Sequence, residues 1–284
     1  MKKVFAALLL VVVTCSLASA AEIGFTGNVG GGHHTGDWHD AGNWFIHPNP
    51  AGRLPGAGDN ASIDRGWDGA SATMSSDVST HQLKVSHWYT NQNLTIDAGV
   101  NVNLTGNFLI GGANNGGGKV VSSGNINVGN STPGNPAGGQ VNIGEYGNGY
   151  LEMNGGSLTS TYHNVPGWWA NSTSASGQTQ AHVQLNGGTI TAWDWNLIGH
   201  DGTKNGTMDI AGGTLQGTRG DMATRAQTFV DNGWLTAHGG AGNVVIDTSG
   251  SSGYAVVITS SIPEPTSLVL LSLASLALVV RRRK

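Results

Sequence analysis

The chain has 284 residues, of which 46 are glycine; only 11% are charged, and the formal net charge is −4. Such sparse and slightly negative charge excludes the basic surface that nucleic-acid binding needs, so we expect no nucleic-acid partner. The single cysteine excludes internal disulfides, so packing and backbone pairing must stabilise the fold.

The N-terminus has the three parts of a secretory signal. Two lysines precede an apolar run at 4–13, and a small-residue pattern with Ala18 and Ala20 follows. We predict a signal helix over 1–20 that signal peptidase removes after Ala20. The alternative, a lipoprotein anchored at Cys15, lacks the small residue usually found just before a lipidated cysteine.

The next segment holds two tryptophans, Trp38 and Trp44, in a block rich in glycine and asparagine. This block resembles the opening block of secreted β-helix proteins with autotransporter-like repeats. An apolar cross-section would otherwise meet water at the end of a stack of repeats. We therefore expect the two tryptophans to plug the N-terminal end.

The same segment contains the densest group of potential metal ligands, which are His33, His34, Asp37, His39 and Asp40. Histidine and aspartate bind zinc, but no second, distant group follows at a familiar spacing. We interpret the segment as a solvated loop and predict no metal site.

One short pattern recurs at 151–159, 183–191 and 208–216. Each copy reads apolar, polar, apolar, then a turn at Gly-Gly, then polar and apolar again. A side-chain period of two is typical of strands, and glycine permits the positive φ of a tight corner. The repeated unit is therefore strand, corner, strand.

A second element, a short apolar strand ending in glycine, recurs at 108–111, 126–129, 141–144 and 196–199. Units this short cannot bury their apolar faces alone, so they must stack on their neighbours. The sequence thus predicts an all-β fold, a parallel β-helix (β-solenoid), with asparagine amide ladders near its corners. The range 162–181 breaks the period and is predicted to be a projecting loop. The alternative fold is an antiparallel β-sandwich or jelly roll.

A closing block at 229–240 resembles the end of such repeat proteins, and Trp234 is expected to cap the C-terminal end.

The C-terminal tail contains Pro263, Glu264 and Pro265, then a predicted apolar helix at 268–280 and the basic residues Arg281, Arg282 and Arg283. These three parts resemble the PEP-CTERM sorting tail. The resemblance implies recognition by an exosortase, cleavage near Pro-Glu-Pro, transient membrane association through the tail, and association with extracellular polysaccharide. The alternative is a permanent single-span anchor.

The predicted organisation is a signal peptide at 1–20, an N-terminal β segment at 21–82, β-solenoid repeats at 83–260 and a sorting tail at 261–284.

Glycoside hydrolysis would need paired carboxylates. The candidates are Glu145, Glu152, Asp194, Asp201 and Asp209. A lyase would need a basic residue among clustered acids. The basic candidates are Lys119, Lys204, Arg219 and Arg225. No basic candidate lies in a recurrent acid-rich strand, and polar variation at outward positions explains the acids, so we predict no catalytic residue.

Tryptophans offer the alternative of a carbohydrate-binding module. Trp193 and Trp195 are two apart on a predicted strand and so point the same way, while Trp168 and Trp169 lie in the predicted loop. Such rings stack on sugars, although core or loop packing is the plainer interpretation. The sequence favours an exported structural protein of the cell surface or extracellular matrix, without enzymatic activity, cofactor or metal. A carbohydrate-binding module and a polysaccharide lyase or hydrolase are the alternatives.

Overall fold

The computed structural model describes residues 21–26, 35–46, 49–63, 69–86, 91–112, 117–129, 139–144, 147–166, 181–197, 206–250 and 253–262. The predicted signal peptide lies outside the described residues. The Pro-Glu-Pro motif, the apolar stretch and the arginine cluster of the predicted tail also lie outside them. No helix within the described ranges combines the length and hydropathy needed to cross a membrane.

The fold is mostly β, as predicted. The first strands are β1 Glu22–Phe25, β2 Thr35–Asp37, β3 Trp44–Ile46, β4 Asn49–Pro50, β5 Asn60–Ile63, β6 Ser71–Met74, β7 Val78–Thr80, β8 Gln82–Val85, β9 Gln92–Ile96, β10 Asn101–Leu104 and β11 Phe108–Ile110. The remaining strands are β12 Gly117–Ser122, β13 Asn125–Val128, β14 Val141–Ile143, β15 Asn148–Pro166, β16 Ala181–Trp195, β17 Thr207–Ile210, β18 Thr214–Gly217, β19 Leu235–Ala237, β20 Asn243–Asp247 and β21 Val256–Ser261. A helix, α1, spans Met222–Asp231, and 3₁₀ turns lie at Ala41–Asn43 and His238–Gly240.

Most strand pairs are parallel and form three ladders. The first ladder joins β1, β5, β8, β11, β14 and the ends of β15 and β16. The second joins β2, β6, β9, β12, the starts of β15 and β16, β17 and β19. The third joins β7, β10, β13, the middles of β15 and β16, and β18. Antiparallel pairs join β1 to β3, β3 to β4, β18 to β21 and β20 to β21, so the pairing is mixed.

Alternation along each strand places apolar side chains on one side and polar side chains on the other, as the period of two predicted. In the second ladder Leu151 is in register with Val183, and Val183 with Met208, and all three are buried. Apolar side chains from all three ladders, among them Val141 of the first and Leu158 of the third, line one small interior gap. The core therefore lies between the ladders.

The predicted Gly-Gly corner is present between the second and third ladders. Gly156 and Gly188 have φ of 62° and 75°, a region that residues with a Cβ rarely adopt. A Cβ on Gly156 would lie 2.0 Å from the carbonyl oxygen of Gly124 in the preceding turn of chain. Glycine is thus required both for the corner and for the close approach of successive corners.

Asparagine ladders are confirmed. Asn125 Nδ2 donates to Asn101 Oδ1 at 3.1 Å, and Asn127 Nδ2 donates to Asn103 Oδ1 at 3.0 Å, each across 24 residues. At the Gly-Gly corner, Asn186 Nδ2 donates to Asn154 Oδ1 at 2.9 Å. The first two pairs lie within strands of the third ladder, whereas the sequence placed the ladders near corners.

Aromatic side chains fill both ends of the ladders. Trp38 and Trp44 are buried at the N-terminal end, with ring centroids 4.3 Å apart, and the Trp44 Nε1–H donates to the Trp38 carbonyl at 2.7 Å. At the other end Phe229 of α1 lies between Trp195 and Trp234, with centroids 5.5 and 6.2 Å away. Both predicted end positions hold tryptophan, but helix α1, which the sequence did not predict, carries the central ring of the C-terminal cluster.

One other expectation differs from the structure, and one predicted boundary falls within a strand. The predicted loop at 162–181 is wrong for 162–166, which belong to β15 and continue the first ladder beside β14, and for Ala181, which begins β16. The rest of that range, up to 180, lies outside the described residues. Strand β8 runs across the predicted boundary between 82 and 83, and it pairs with β5 on one side and β11 on the other.

Candidate functional site

The outward face of the second ladder carries an aligned column of polar and aromatic side chains. Asn93, Lys119, Tyr150, His182 and Thr207 occupy successive register positions on β9, β12, β15, β16 and β17. Their inward neighbours Leu94, Val120 and Leu151 are buried and fix the strands. Strand alternation therefore presents this column to solvent.

A cleft of about 490 Å³ opens beside the column, and we call it the Tyr150 cleft. It is lined by Asn91, Gln92, Asn93, Gly117, Gly118, Lys119, Asn148, Gly149, Tyr150 and His182. The lining supplies amides, a phenol, an imidazole and one ammonium group, with glycine backbone between them. Such a surface offers several hydrogen-bond donors and acceptors beside apolar area from glycine and side-chain carbons.

Contacts along the column hold its side chains in place. The Lys119 ammonium lies 5.0 Å from the centre of the Tyr150 ring, and the Tyr150 and His182 rings stack with centroids 5.4 Å apart and planes 20° apart. His182 Nδ1 is 2.8 Å from Thr207 Oγ1. Lys119 also pairs with Glu152 at 3.4 Å. Burial, together with the Glu152 charge, raises the pKa of Tyr150, so its hydroxyl stays protonated and can donate.

Asp209 lies two residues beyond Thr207 on β17, in register with Gln184 of β16, and serves the fold. Its Oδ1 accepts from Thr236 Oγ1 at 2.7 Å and from the Gly239 N–H at 2.8 Å, and its Oδ2 accepts from Gln184 Nε2 at 3.0 Å. Burial works to raise the Asp209 pKa, but these hydrogen bonds outweigh it and hold the pKa below its usual range. The carboxylate joins β16, β17 and β19.

The described carboxylates that were considered for hydrolysis bind different partners. Asp194 is buried and binds two guanidinium groups, Arg219 Nη1 at 2.7 Å from Oδ2 and Arg225 Nη1 at Oδ1. Glu152 pairs with Lys119 and accepts from Asn154 Nδ2 at 3.0 Å. The other candidates, Glu145, Asp201 and Lys204, lie outside the described residues.

Trp195 packs in the core, which agrees with the plainer interpretation and not with the alternative of a tryptophan platform. Trp195 is fully buried and packs on Phe229, so it presents no face to a sugar. Trp193 is partly exposed, and the Arg219 guanidinium lies 5.6 Å from its ring centre. The two do not point the same way because the chain turns from the third to the first ladder between Ala192 and Asp194, where the register shifts. Trp168 and Trp169 lie outside the described residues.

The histidine-rich segment is described only from residue 35 onward, so His33 and His34 lie outside. His39 Nδ1 lies 3.2 Å from Asp37 Oδ1, and its Nε2 lies 2.8 Å from Ser76 Oγ. The backbone N–H of His39 donates to Asp37 and lowers its pKa. Within the described part of the chain, no three acidic, histidine or cysteine residues are grouped as metal ligands.

The sequence did not single out Tyr150, His182 or the cleft role of Lys119. Tyr150 and His182 immediately precede the repeat copies that begin at Leu151 and Val183, so extending the repeat alignment by one residue would have aligned them. Lys119 lies on β12, outside the recognised repeats.

Residues 261–284 match the PEP-CTERM protein-sorting motif. This match confirms the sorting tail, and it indicates an exported protein that an exosortase sorts to the cell surface. No curated protein and no solved structure matches the chain.

Proposed function

We propose that the chain is a non-enzymatic structural protein of the cell surface or extracellular matrix, displayed as a rigid β-solenoid and associated with extracellular polysaccharide. The observation that carries the proposal is the combination of a sorting motif at 261–284 with three long parallel ladders before it. Signal peptidase and exosortase are its partners during export.

The register supports a solenoid. Hydrogen-bonded side chains on adjacent strands are separated by 24, 32 and 25 residues at successive places along the chain, which is one short turn of chain each time. From β5 to β18 the chain visits the three ladders in the same order and direction, and each turn buries apolar residues against its neighbours. A jelly roll or other antiparallel sandwich would pair its strands in the opposite sense. The parallel ladders therefore favour the solenoid.

The bonding of the carboxylates supports a structural role. Hydrolysis requires one carboxyl group to donate a proton while another remains an available base or nucleophile. Asp194 is held by two arginines, and Asp209 accepts three hydrogen bonds. These acids stabilise the stack and leave no matched acid and base pair between them.

The sorting step is tested by intact mass of the protein recovered from the cell surface and from the medium. We expect a mass that starts at Ala21 and lacks the arginine cluster at 281–283. Glu264→Ala should block processing and leave a membrane-associated chain that retains Arg281 to Arg283. Ser267→Ala, which changes the same tail outside the Pro-Glu-Pro motif, is the control. A wild-type chain that keeps its basic end would contradict processing and indicate a permanent anchor.

A carbohydrate-binding module is the second candidate. The Tyr150 cleft favours it, because polar groups converge there on a concave surface. This role is compatible with a structural rod, since a rod that binds polysaccharide would link matrix chains.

A further inference from the structure

We infer that the Tyr150 cleft binds a segment of polysaccharide of low charge density, and that it does so through hydrogen bonds to ring edges and amides. The inference rests on the proposed association with extracellular polysaccharide and assigns it a site. The residues that carry it are Lys119, Tyr150, His182 and the amides of Asn91, Asn93 and Asn148.

Ring geometry decides the mode of contact. One neighbour of Tyr150 along the ladder is the Lys119 ammonium, 5.0 Å from the ring centre, and the other is the stacked ring of His182. Because Lys119 lies over the Tyr150 ring and His182 stacks with it, a sugar meets the edge and hydroxyl of Tyr150 rather than a free ring face. The protonated phenol can donate to a sugar oxygen and accept from a sugar hydroxyl.

The lining argues against other ligand classes. The wall of the cleft combines apolar area with amides, a phenol, an imidazole and an ammonium group, so a purely apolar ligand would use only part of it. A nucleic acid or a highly sulfated chain needs several cations. Lys119 is the one Lys or Arg among the described lining residues, and Glu152 shares its charge. Polyhydroxylated, weakly charged sugars carry both hydroxyl groups and apolar C–H groups, so they match this mixed lining.

The cleft volume also fits the proposed ligand. About 490 Å³ is within the usual range of small-molecule sites, roughly 300–1,000 Å³. Side chains from β9, β12, β15 and β16 contribute, so the cleft crosses successive strands of the ladder. An extended chain can therefore lie across strands and meet a new set of polar groups at each.

Gly117 provides a steric test that leaves the polar groups in place. A Cβ at this position would make only ordinary contacts, 3.8 Å from Asn91, and its φ is not positive. Gly117→Leu should therefore fold and fill the cleft. Tyr150→Ala removes the central ring, and Tyr150→Phe keeps the ring between Lys119 and His182 while removing the hydroxyl.

A matched control exists on another part of the surface. His81 Nδ1 lies 2.9 Å from Thr105 Oγ1, one turn of chain away, as His182 Nδ1 lies 2.8 Å from Thr207 Oγ1. His81 does not line the cleft. His182→Ala and His81→Ala thus remove the same kind of contact inside and outside the proposed site.

The experiment measures binding of the mature protein to an array of neutral and acidic glycans and to the extracellular polysaccharide of the cells that produce it. We expect wild-type binding and a loss of about tenfold or more in Gly117→Leu and Tyr150→Ala, which corresponds to about 1.4 kcal/mol. Tyr150→Phe and His182→Ala should weaken binding, while His81→Ala should bind like wild type. Thermal unfolding midpoints identify any variant that fails to fold.

Two results would overturn the inference in distinguishable ways. If wild type binds the native polysaccharide and the Gly117→Leu and Tyr150→Ala proteins bind equally well, the site is wrong but the association stands. If folded wild-type protein binds neither the array nor the native polysaccharide, both the site and the association fail. The sorting proposal is decided separately by intact mass.

Discussion

Asp209 shows how one carboxylate can stabilise a stack of strands. Its two oxygens accept hydrogen bonds from β16, from β19 and from the 3₁₀ turn that follows β19. The residue is buried, so these partners replace most of its contact with water. Three hydrogen-bond donors favour the ionised carboxylate, and the lowered pKa of Asp209 reflects that preference.

We predict that Asp209→Asn destabilises the fold at neutral pH by about 1–3 kcal/mol, because an amide cannot accept all three hydrogen bonds. The folded pKa lies below the unfolded value of about 3.9, so the stabilisation is fully present above that pH. It is lost as the pH falls through the folded pKa. Chemical denaturation at a series of pH values should show the gap between wild type and variant narrowing in acid. Asp97→Asn, at an exposed position, is the control for loss of one charge, and a gap independent of pH would contradict the assignment.

The Gly-Gly corner is the element on which the stacking depends. Gly156 has a positive φ, and its Cα faces the backbone of Gly124 so closely that a Cβ would overlap it. Gly155, its neighbour, has room for a Cβ at 3.7 Å from the Ser123 carbonyl oxygen, and its φ is not positive. Two adjacent glycines therefore meet different constraints.

We predict that Gly156→Ala lowers the free energy of unfolding by about 2 kcal/mol or more, since it adds left-handed strain to steric overlap with backbone. Gly155→Ala should cost less than about 1 kcal/mol. Denaturation midpoints of the two variants, measured side by side, make the comparison. Equal losses would show that the corner tolerates a side chain at Gly156 and would contradict the close approach of successive corners.

Strands of the second and third ladders could be predicted because alternation and Gly-Gly corners repeat at 151–159, 183–191 and 208–216. Strands of the first ladder were recognised less completely, since the connections that follow them vary in length. Helix α1 was missed because its apolar face has only three buried residues, Met222, Ala226 and Phe229, too few to stand out as a period.

The candidate site was harder to predict than the strands. A cleft depends on which outward side chains fall in register, and the insertions between strands hide that register in the sequence. Lys119 lies beside Tyr150 because β12 pairs with β15. Since β12 lies outside the recognised repeats, the repeat spacing does not predict this pairing. The Asp194 contacts with Arg219 and Arg225 were likewise invisible, since they join β16 to residues around the unpredicted helix.

At the scale of the whole molecule, the strands of each parallel ladder pair with the strands before and after them in that ladder. In the proposed solenoid, stability is nearly a sum of such local terms, so a defect at one end should loosen that end first. A buried phenylalanine at each end can be substituted to compare the two ends. Phe25 packs on Trp44 at the N-terminal end, with centroids 5.2 Å apart, and Phe229 packs on Trp195 at the other.

We predict that Phe229→Ala and Phe25→Ala each destabilise the protein, by about 3–5 kcal/mol at the site, because each removes a buried ring. The two substitutions should destabilise different parts of the structure. Amide hydrogen exchange should show lost protection in β17 and β19 for Phe229→Ala, and in β1 and β5 for Phe25→Ala, with the central strands β12 and β13 protected in both. Each variant is the control for the other. Uniform loss of protection in either would mean that the chain unfolds as one cooperative unit, which would contradict nearest-neighbour stacking and weaken the proposed solenoid.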